Sequence, residues 1–192
     1  KENEKKKILI APSWQPENII DLCIEQILDK YKNTSYEVIV RPHPQQVRHQ
    51  MERFVEMQER YAKDDNITIQ TDFSSNSTVM DADLLITDWS DISFEYAFTT
   101  LKPVLFIDTP MKIMNPEYDK IEQKPINVTL RNVIGKAISV NDIDNILEIS
   151  TDMLKQKDMY RKQIADAREK HIFNIGKSRI LSGKYIMKRL ME

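Results

Sequence analysis

One stretch of the chain alternates between apolar and polar runs in a way that strongly constrains the fold. Residues 83–87 form a mainly apolar run, and a polar turn, Asp88-Trp-Ser-Asp91, separates it from the helix-compatible residues 92–99. A second apolar run, 103–107, follows directly. Two short buried runs joined by a helix are typical of a parallel strand–helix–strand unit. This stretch therefore predicts part of an α/β sheet.

The rest of the chain extends the same alternation. Further strands are predicted at 8–11, 36–40 and 66–70, and helices at 19–31 and 47–61, with a short helix or turn at 74–80. Beyond residue 107 we expect a long loop over 108–128, short helices at 133–138 and 142–150, and longer ones at 152–170 and 178–191. The order predicts a Rossmann-like parallel sheet with helices on both faces, followed by C-terminal helices.

Composition narrows the class of protein. The 192 residues suit a single α/β domain spanning 1–192, and the net charge of −2 argues against a dedicated nucleic-acid binder. The lone Cys23 excludes an internal disulfide, fits a reducing compartment and is predicted to be a buried, inert thiol. No apolar run approaches the roughly 20 residues of a membrane-spanning helix. Lysines and arginines crowd residues 177–189, which indicates a solvated end or, alternatively, a face that contacts anionic lipid.

Polar residues follow four of the predicted strands. These strand ends deliver residues 11–14, 41–44, 87–91 and 108–110. Because right-handed crossovers place all strand-to-helix turns at one edge of a parallel sheet, we expect these segments to lie together. Ligands of such sheets bind at the carboxyl ends of the strands, so the sequence predicts a binding site there.

The segment Arg41-Pro-His-Pro44 is the sharpest part of this predicted site. Two prolines bracket His43 and restrict the backbone around it, so the imidazole is displayed on a stiff segment. His43 is our candidate catalytic residue, able to bind phosphate or move a proton, and Arg41 suits phosphate oxygens. The alternative is a proline-ended strand whose His43 and Arg41 pair with nearby carboxylates.

The turn after residue 87 places the N-terminus of a helix at the same edge. Unpaired N–H groups and the helix dipole favour an anion there, while Ser90 or Asp91 could equally serve as an ordinary N-cap. Glu95 lies about one helical turn further on, where it could accept hydrogen bonds from a ribose or simply face solvent. The chain has no glycine-rich nucleotide loop and no metal-binding motif, so no metal or other cofactor is expected. The candidate phosphate-binding residues are Ser13, Arg41, Thr87, Asp88, Ser90, Asp91 and Ser93.

These motifs, in this order, resemble those of the CDP-glycerol glycerophosphotransferases, the teichoic-acid primases and polymerases. The resemblance rests on residues 8–14, 41–44, 82–91, 94–97 and 102–106. It implies one half of a GT-B fold, the C-terminal donor-binding half of a longer two-domain, metal-independent transferase. It also implies that His43 contacts the donor phosphates or assists proton transfer, that the Ser90 turn holds the pyrophosphate, and that Glu95 lies near the ribose. Asp91 departs from the family pattern, which has a second serine there, and so does Ile175 before Gly176, in place of aspartate.

The resemblance also implies a reaction and a setting. The donor is expected to be CDP-glycerol, or a related activated donor, used to build teichoic acid or capsule polymer. The acceptor is expected to be lipid-linked or polymeric, held by an N-terminal half, at the cytoplasmic face of the cell membrane. The fragment alone is expected to be inactive or weakly active. Two alternatives stay open: a GT-B glycosyltransferase or epimerase that uses a nucleotide sugar, and a non-catalytic GT-B-like domain.

Overall fold

A six-stranded parallel sheet organises residues 5–192, the part of the chain that the computed structural model describes. The strands are β1 (Lys7–Ile10), β2 (Glu37–Val40), β3 (Ile67–Ile69), β4 (Leu84–Thr87), β5 (Val104–Asp108) and β6 (Gly135–Ser139). Their order across the sheet is β3-β2-β1-β4-β5-β6, and every neighbouring pair is parallel. The predicted Rossmann-like sheet is confirmed.

Helices connect the strands and complete the C-terminal part. They are α1 (Ile19–Leu22), α2 (Ile24–Tyr31), α3 (Pro44–His49), α4 (Met51–Arg60), α5 (Ser77–Asp81), α6 (Ile92–Thr100), α7 (Ile126–Thr129), α8 (Arg131–Ile134), α9 (Ile146–Lys155), α10 (Lys157–His171) and α11 (Ser178–Met191). Two 3₁₀ segments, Tyr118–Lys120 and Val140–Asn145, lie between them. The predicted loop over 108–128 therefore contains a 3₁₀ turn and the start of α7.

The core lies on both faces of the central strands. Residues 8–10 of β1 and 84–86 of β4 are fully buried, as expected for strands that are covered on both sides. The apolar stripe of α2 packs into this core, and the Tyr31 hydroxyl lies 2.5 Å from Ser150 Oγ of α9. That buried hydrogen bond satisfies both hydroxyls and links α2 to the C-terminal helices.

A sixth strand stands where a short helix was predicted, so the prediction for 133–138 is wrong. The helix α8 ends at Ile134, and β6 begins at Gly135 and pairs with β5. A Cβ atom at Gly135 would lie 1.7 Å from the Val104 carbonyl oxygen, so only glycine permits this approach of the two backbones. The pairing partner, which is remote in sequence, decides the structure here.

Three of the predicted helices divide in the structure, and the one expected over 152–170 does so at Gln156. The helix expected over 19–31 breaks at Cys23, and the one expected over 47–61 begins earlier and breaks at Gln50. Cys23 is buried as predicted, and burial raises the pKa of its thiol to about 12, so it carries no thiolate at neutral pH.

The last helix, α11, spans the residues predicted for it and stays exposed along its whole length. None of its residues is buried, and the apolar side chains of Ile186, Met187 and Leu190 are all more than half exposed. Along the described residues, no helix has both the length and the apolar character needed to cross a bilayer.

Candidate functional site

A cleft of about 690 Å³ lies at the carboxyl edge of the sheet. The strand order brings the ends of β2, β1 and β4 side by side, so the segments that follow them form its walls. The predicted site residues that line it are Ser13, Arg41, His43, Ser90, Asp91 and Glu95. The structure thus brings together three of the four polar strand ends predicted to meet there, and residues 108–110, at the end of β5, do not line the cleft.

Two of the predicted ligand-binding residues instead hold the edge together. Thr87 is fully buried, and its hydroxyl donates to the Ala11 carbonyl oxygen at 2.6 Å. The buried carboxylate of Asp88 accepts from the backbone N–H groups of Ser13 at 2.7 Å, Trp89 at 2.7 Å and Ile19 at 3.2 Å. These three backbone donors reach both oxygens of the carboxylate. Asp88 therefore fixes the loop after β1 against the turn after β4.

The N-terminus of α6 opens into the cleft without a side-chain cap. Asp91 makes no capping hydrogen bond, contrary to one reading of the sequence. The Ser93 hydroxyl donates to the Ser90 carbonyl oxygen at 2.9 Å, so this predicted phosphate-binding residue is buried inside the turn. Within residues 5–192, the N–H groups of Asp91 and Ile92 donate to no protein atom. They remain available to an anion, which the helix dipole also favours.

His43 is both a cleft residue and the N-cap of α3. Its Nδ1 accepts the Gln45 N–H at 3.2 Å, and Pro44 occupies the first helical position. This bond fixes the tautomer: the neutral ring carries its proton on Nε2, which is left as the donor to a ligand. Burial, followed by the nearby Lys112 ammonium, lowers the pKa of His43, so the ring is neutral at pH 7. Trp14 stacks loosely on it, with ring centroids 6.0 Å apart and an interplanar angle of 11°.

Arg41 supports the cleft wall. Its guanidinium is buried, lies 5.4 Å from the centre of the Phe73 ring, and donates to the Ser75 carbonyl at 2.9 Å and to Asn76 Oδ1 at 3.2 Å. These contacts tie the segment after β3 to the end of β2. Burial lowers the pKa of Arg41, although a guanidinium remains charged at neutral pH.

Ser13 contributes a hydroxyl with no partner. Ser13 is almost fully buried, and within the described residues its Oγ makes no hydrogen bond, although Ser13 lines the cleft. Buried hydroxyls are rarely left unpaired, so this atom has spare capacity for a ligand oxygen. Glu95, in contrast, is exposed on α6 one turn beyond Asp91, at the predicted spacing.

Several cleft residues were not predicted from the sequence. Phe73, Val79 and Met80 give the cleft apolar surface, and Lys112 adds a cation. One signal could have found Phe73, because it follows β3 and so belongs to the same sheet edge as the other strand ends. Lys112 comes from the irregular segment after β5, where apolar residues recur at neither helical nor strand spacing, so no pattern could have placed it.

Metal ligands do not cluster in the described structure. Among residues 5–192, no group of three or more histidine, cysteine, aspartate or glutamate side chains is placed to hold an ion. The cationic groups near the cleft are Arg41 and Lys112, and the neutral donors are Ser13 Oγ, His43 Nε2 and the amides of α6. The arrangement can bind the oxygens of a phosphate through these donors.

Solved structures share this architecture. The chain superposes on MurG of Acinetobacter baumannii with a TM-score of 0.55 and 15% identity, covering 86% of this chain and 48% of MurG. It also matches the C-terminal domain of the group 1 glycosyl transferase LpcC of Francisella tularensis (TM-score 0.54, 14% identity, 87% of this chain and 86% of that domain). A third match is the C-terminal CMP-Kdo binding domain of WaaA from Acinetobacter baumannii (TM-score 0.52, 11% identity, 86% and 89%).

These likenesses show the fold: the chain has the fold of one half of a GT-B glycosyltransferase. It spans about half the length of MurG and 39% of the forosaminyltransferase SpnP, but most of the two isolated C-terminal domains. No match to the chain is found among curated proteins.

The sequence itself gives the family. The family described as CDP-Glycerol:Poly(glycerophosphate) glycerophosphotransferase matches residues 2–174, which is most of the chain and includes every residue of the cleft. Family and fold together support a transferase that uses a nucleotide-activated donor. The chain therefore belongs to the CDP-glycerol:poly(glycerophosphate) glycerophosphotransferase family.

Proposed function

We propose that the chain binds the donor CDP-glycerol in the carboxyl-edge cleft and presents its β-phosphorus to an acceptor hydroxyl. One observation carries the proposal: the uncapped N-terminus of α6 and the imidazole of His43 line the same cleft. The free N–H groups of Asp91 and Ile92 would bind one phosphate, and Ser13 Oγ and His43 Nε2 would donate to the other phosphate oxygens.

The cleft also contains groups that suit the ribose and the base of a nucleotide. Glu95 lies one turn along α6 from the proposed phosphate site, where its carboxylate can accept from ribose hydroxyls. Phe73 and Val79, which line the same cleft, offer an aromatic and apolar surface to a base. The shared fold of a CMP-Kdo binding domain supports a cytidine nucleotide as the ligand.

The reaction would be a phosphoryl transfer. The acceptor oxygen forms a bond to the β-phosphorus, the bond from that phosphorus to the bridging oxygen breaks, and CMP leaves with the electron pair. His43 would stabilise charge on the phosphates by donating from Nε2, because its Nδ1 is engaged by Gln45 and its Nε2 already carries a proton. The acceptor's proton would then pass to a base outside this half, and no step requires a metal.

The biological setting that we propose follows from the family. The product would be a glycerol-phosphate polymer such as teichoic acid or capsule, built at the cytoplasmic face of the membrane on a lipid-linked or polymeric acceptor. The second half of the enzyme would hold that acceptor. Exposed basic residues of α11, such as Lys184, Lys188 and Arg189, would contact anionic lipid.

Titration calorimetry with CMP and with CDP-glycerol tests the donor site. We expect saturable binding to the wild type and weaker binding to His43→Asn, which keeps an N-cap acceptor but removes the imidazole donor. Equal affinity in the wild type and this variant would remove His43 from the site. Absence of binding by any nucleotide would favour the non-catalytic alternative.

A nucleotide-sugar donor is the second candidate, because LpcC is a glycosyl transferase of the same fold. Competition between CMP and UDP separates the two. The proposal predicts that CMP displaces bound CDP-glycerol at lower concentration than UDP does, and the reverse order would favour the sugar donor.

A further inference from the structure

A second cavity of about 570 Å³ lies beside the donor cleft. The irregular segment between β5 and α8 forms most of its lining, and Trp89, from the turn after β4, forms the rest. Lys112 lines this cavity and the donor cleft alike, so the two spaces adjoin. The proposed donor chemistry makes no use of this cavity.

The lining of this cavity is apolar yet exposed. Ile113 is 52% exposed, Met114 83%, Tyr118 47% and Ile121 55%. Such a group of exposed apolar side chains around a concavity is typical of a binding site, since covering it removes apolar surface from water. The cavity therefore suits a hydrocarbon or other apolar group.

Trp89 provides a fixed wall. Its Nε1 donates to the Thr109 carbonyl oxygen at 2.9 Å, and the guanidinium of Arg131 lies 3.8 Å from the centre of its ring. Arg131 is itself buried and paired with Asp108. Because these contacts hold the indole, a ligand would meet a preformed aromatic surface there.

The polar groups of the cavity favour an anion. Lys112 and Lys124 line it, against the single carboxylate of Asp119, and within residues 5–192 neither lysine forms an ion pair. Asn127 also lines it, with an Oδ1 that is shielded from solvent and has no partner in the described residues. An anionic head with a hydroxyl would satisfy both kinds of group.

We infer that this cavity binds a phosphate-bearing amphiphile, with its chain against Trp89 and Ile121 and its phosphate at Lys112. This ligand differs from the nucleotide in chemistry and does not need the nucleotide to bind. Its position next to the donor phosphates suits the lipid end of an acceptor whose polymer end the second half of the enzyme would hold, and that last link rests on the proposed function.

The chain contains two tryptophans, so the variant Trp14→Phe leaves Trp89 as the sole indole reporter. We would titrate this variant with n-octyl phosphate, kept below its micelle concentration, and record indole fluorescence. The structure predicts a saturable change, about tenfold weaker binding of n-hexyl phosphate from the loss of two buried methylenes, and weaker binding of n-octanol. Inorganic phosphate should leave the signal unchanged.

Three further variants in the same background locate the ligand. Ile121→Asp should weaken octyl phosphate binding severalfold, and Ile126→Asp, at an exposed isoleucine outside the cavity lining, should not. Lys112→Ala should weaken octyl phosphate more than octanol.

The inference is overturned if octyl phosphate gives no saturable change, if chain length has no effect, or if both isoleucine variants behave alike. A Trp89 signal that CMP abolishes by competition would assign the cavity to the nucleotide and overturn it too. Calorimetry of CMP on the wild-type chain reports the donor site separately, so failure of one proposal does not imply failure of the other.

Discussion

The Ser13 N–H donates to Asp88 Oδ1 at 2.7 Å, which joins the loop after β1 to the turn after β4 inside the protein. The two strands are neighbours in the sheet, so this bond sets the spacing of two walls of the donor cleft. The buried carboxylate of Asp88 holds these walls through backbone N–H groups.

Asp88→Asn should therefore destabilise the fold. One amide oxygen can replace one carboxylate oxygen, but the new NH₂ group would face a backbone N–H and leave it unpaired. We expect a loss of about 1–3 kcal/mol in the free energy of unfolding, measured by urea denaturation, together with weaker CMP binding. A variant as stable as the wild type would show that these bonds do not hold the edge.

Asp91→Asn should strengthen CMP binding, whereas Asp88→Asn should weaken it. Asp91 is exposed and caps nothing, so its charge mainly opposes an anion at the start of α6. Removing the charge should tighten CMP binding about two- to fivefold at low salt, with little change in stability. Calorimetry at two salt concentrations checks this, and weaker binding would mean that Asp91 contacts the nucleotide favourably.

The imidazole of His43 should titrate below the usual histidine value near 6.5, because burial and Lys112 disfavour its charged form. The unfolded chain then takes up this proton more readily than the folded one, so His43 stabilises the fold above about pH 6.5 and this contribution is lost as the pH falls. Bound phosphate should raise the midpoint. NMR titration of the ring protons, with and without CMP, measures both shifts, and an unchanged midpoint on adding CMP would separate His43 from the phosphates.

Gly135→Ala should damage the sheet. The added methyl would meet the Val104 carbonyl, so β6 must move away from β5, at a cost of about 3 kcal/mol or more. Gly183→Ala is the matched control, because nothing lies within 4 Å of its Cβ position in α11, and there we expect no loss of stability. Thermal unfolding of both variants measures these effects. Similar losses of stability in the two variants would argue against the close β5–β6 contact.

The sequence predicts five of the six strands because each is a short apolar run bounded by prolines or polar turns. The sixth strand escapes prediction because Val133, Ile134, Ala137 and Ile138 recur at helical spacing. The pairing of Gly135 with Val104 overrides that local pattern, and a contact so remote in sequence leaves no local signal.

The predicted site likewise contains residues whose positions could be predicted from the sequence and residues whose roles could not. His43, Ser90 and Glu95 could be placed at the cleft because parallel topology fixes which ends of the strands meet. The inward roles of Thr87, Asp88 and Ser93 could not be foreseen, since they depend on which backbone groups a short polar side chain reaches after folding. The packing of Arg131 against Trp89 joins residues from separate elements and is likewise set by tertiary structure.

The most direct test of the account is an amide NMR titration of the chain with CMP. If the nucleotide phosphate binds at the start of α6, the N–H signals of Asp91 and Ile92 will shift progressively and saturate together with the His43 ring signals, while those of α11 stay in place. Saturating CMP binding that leaves the Asp91 and Ile92 amides unmoved would contradict the central claim, because the donor would then lie elsewhere.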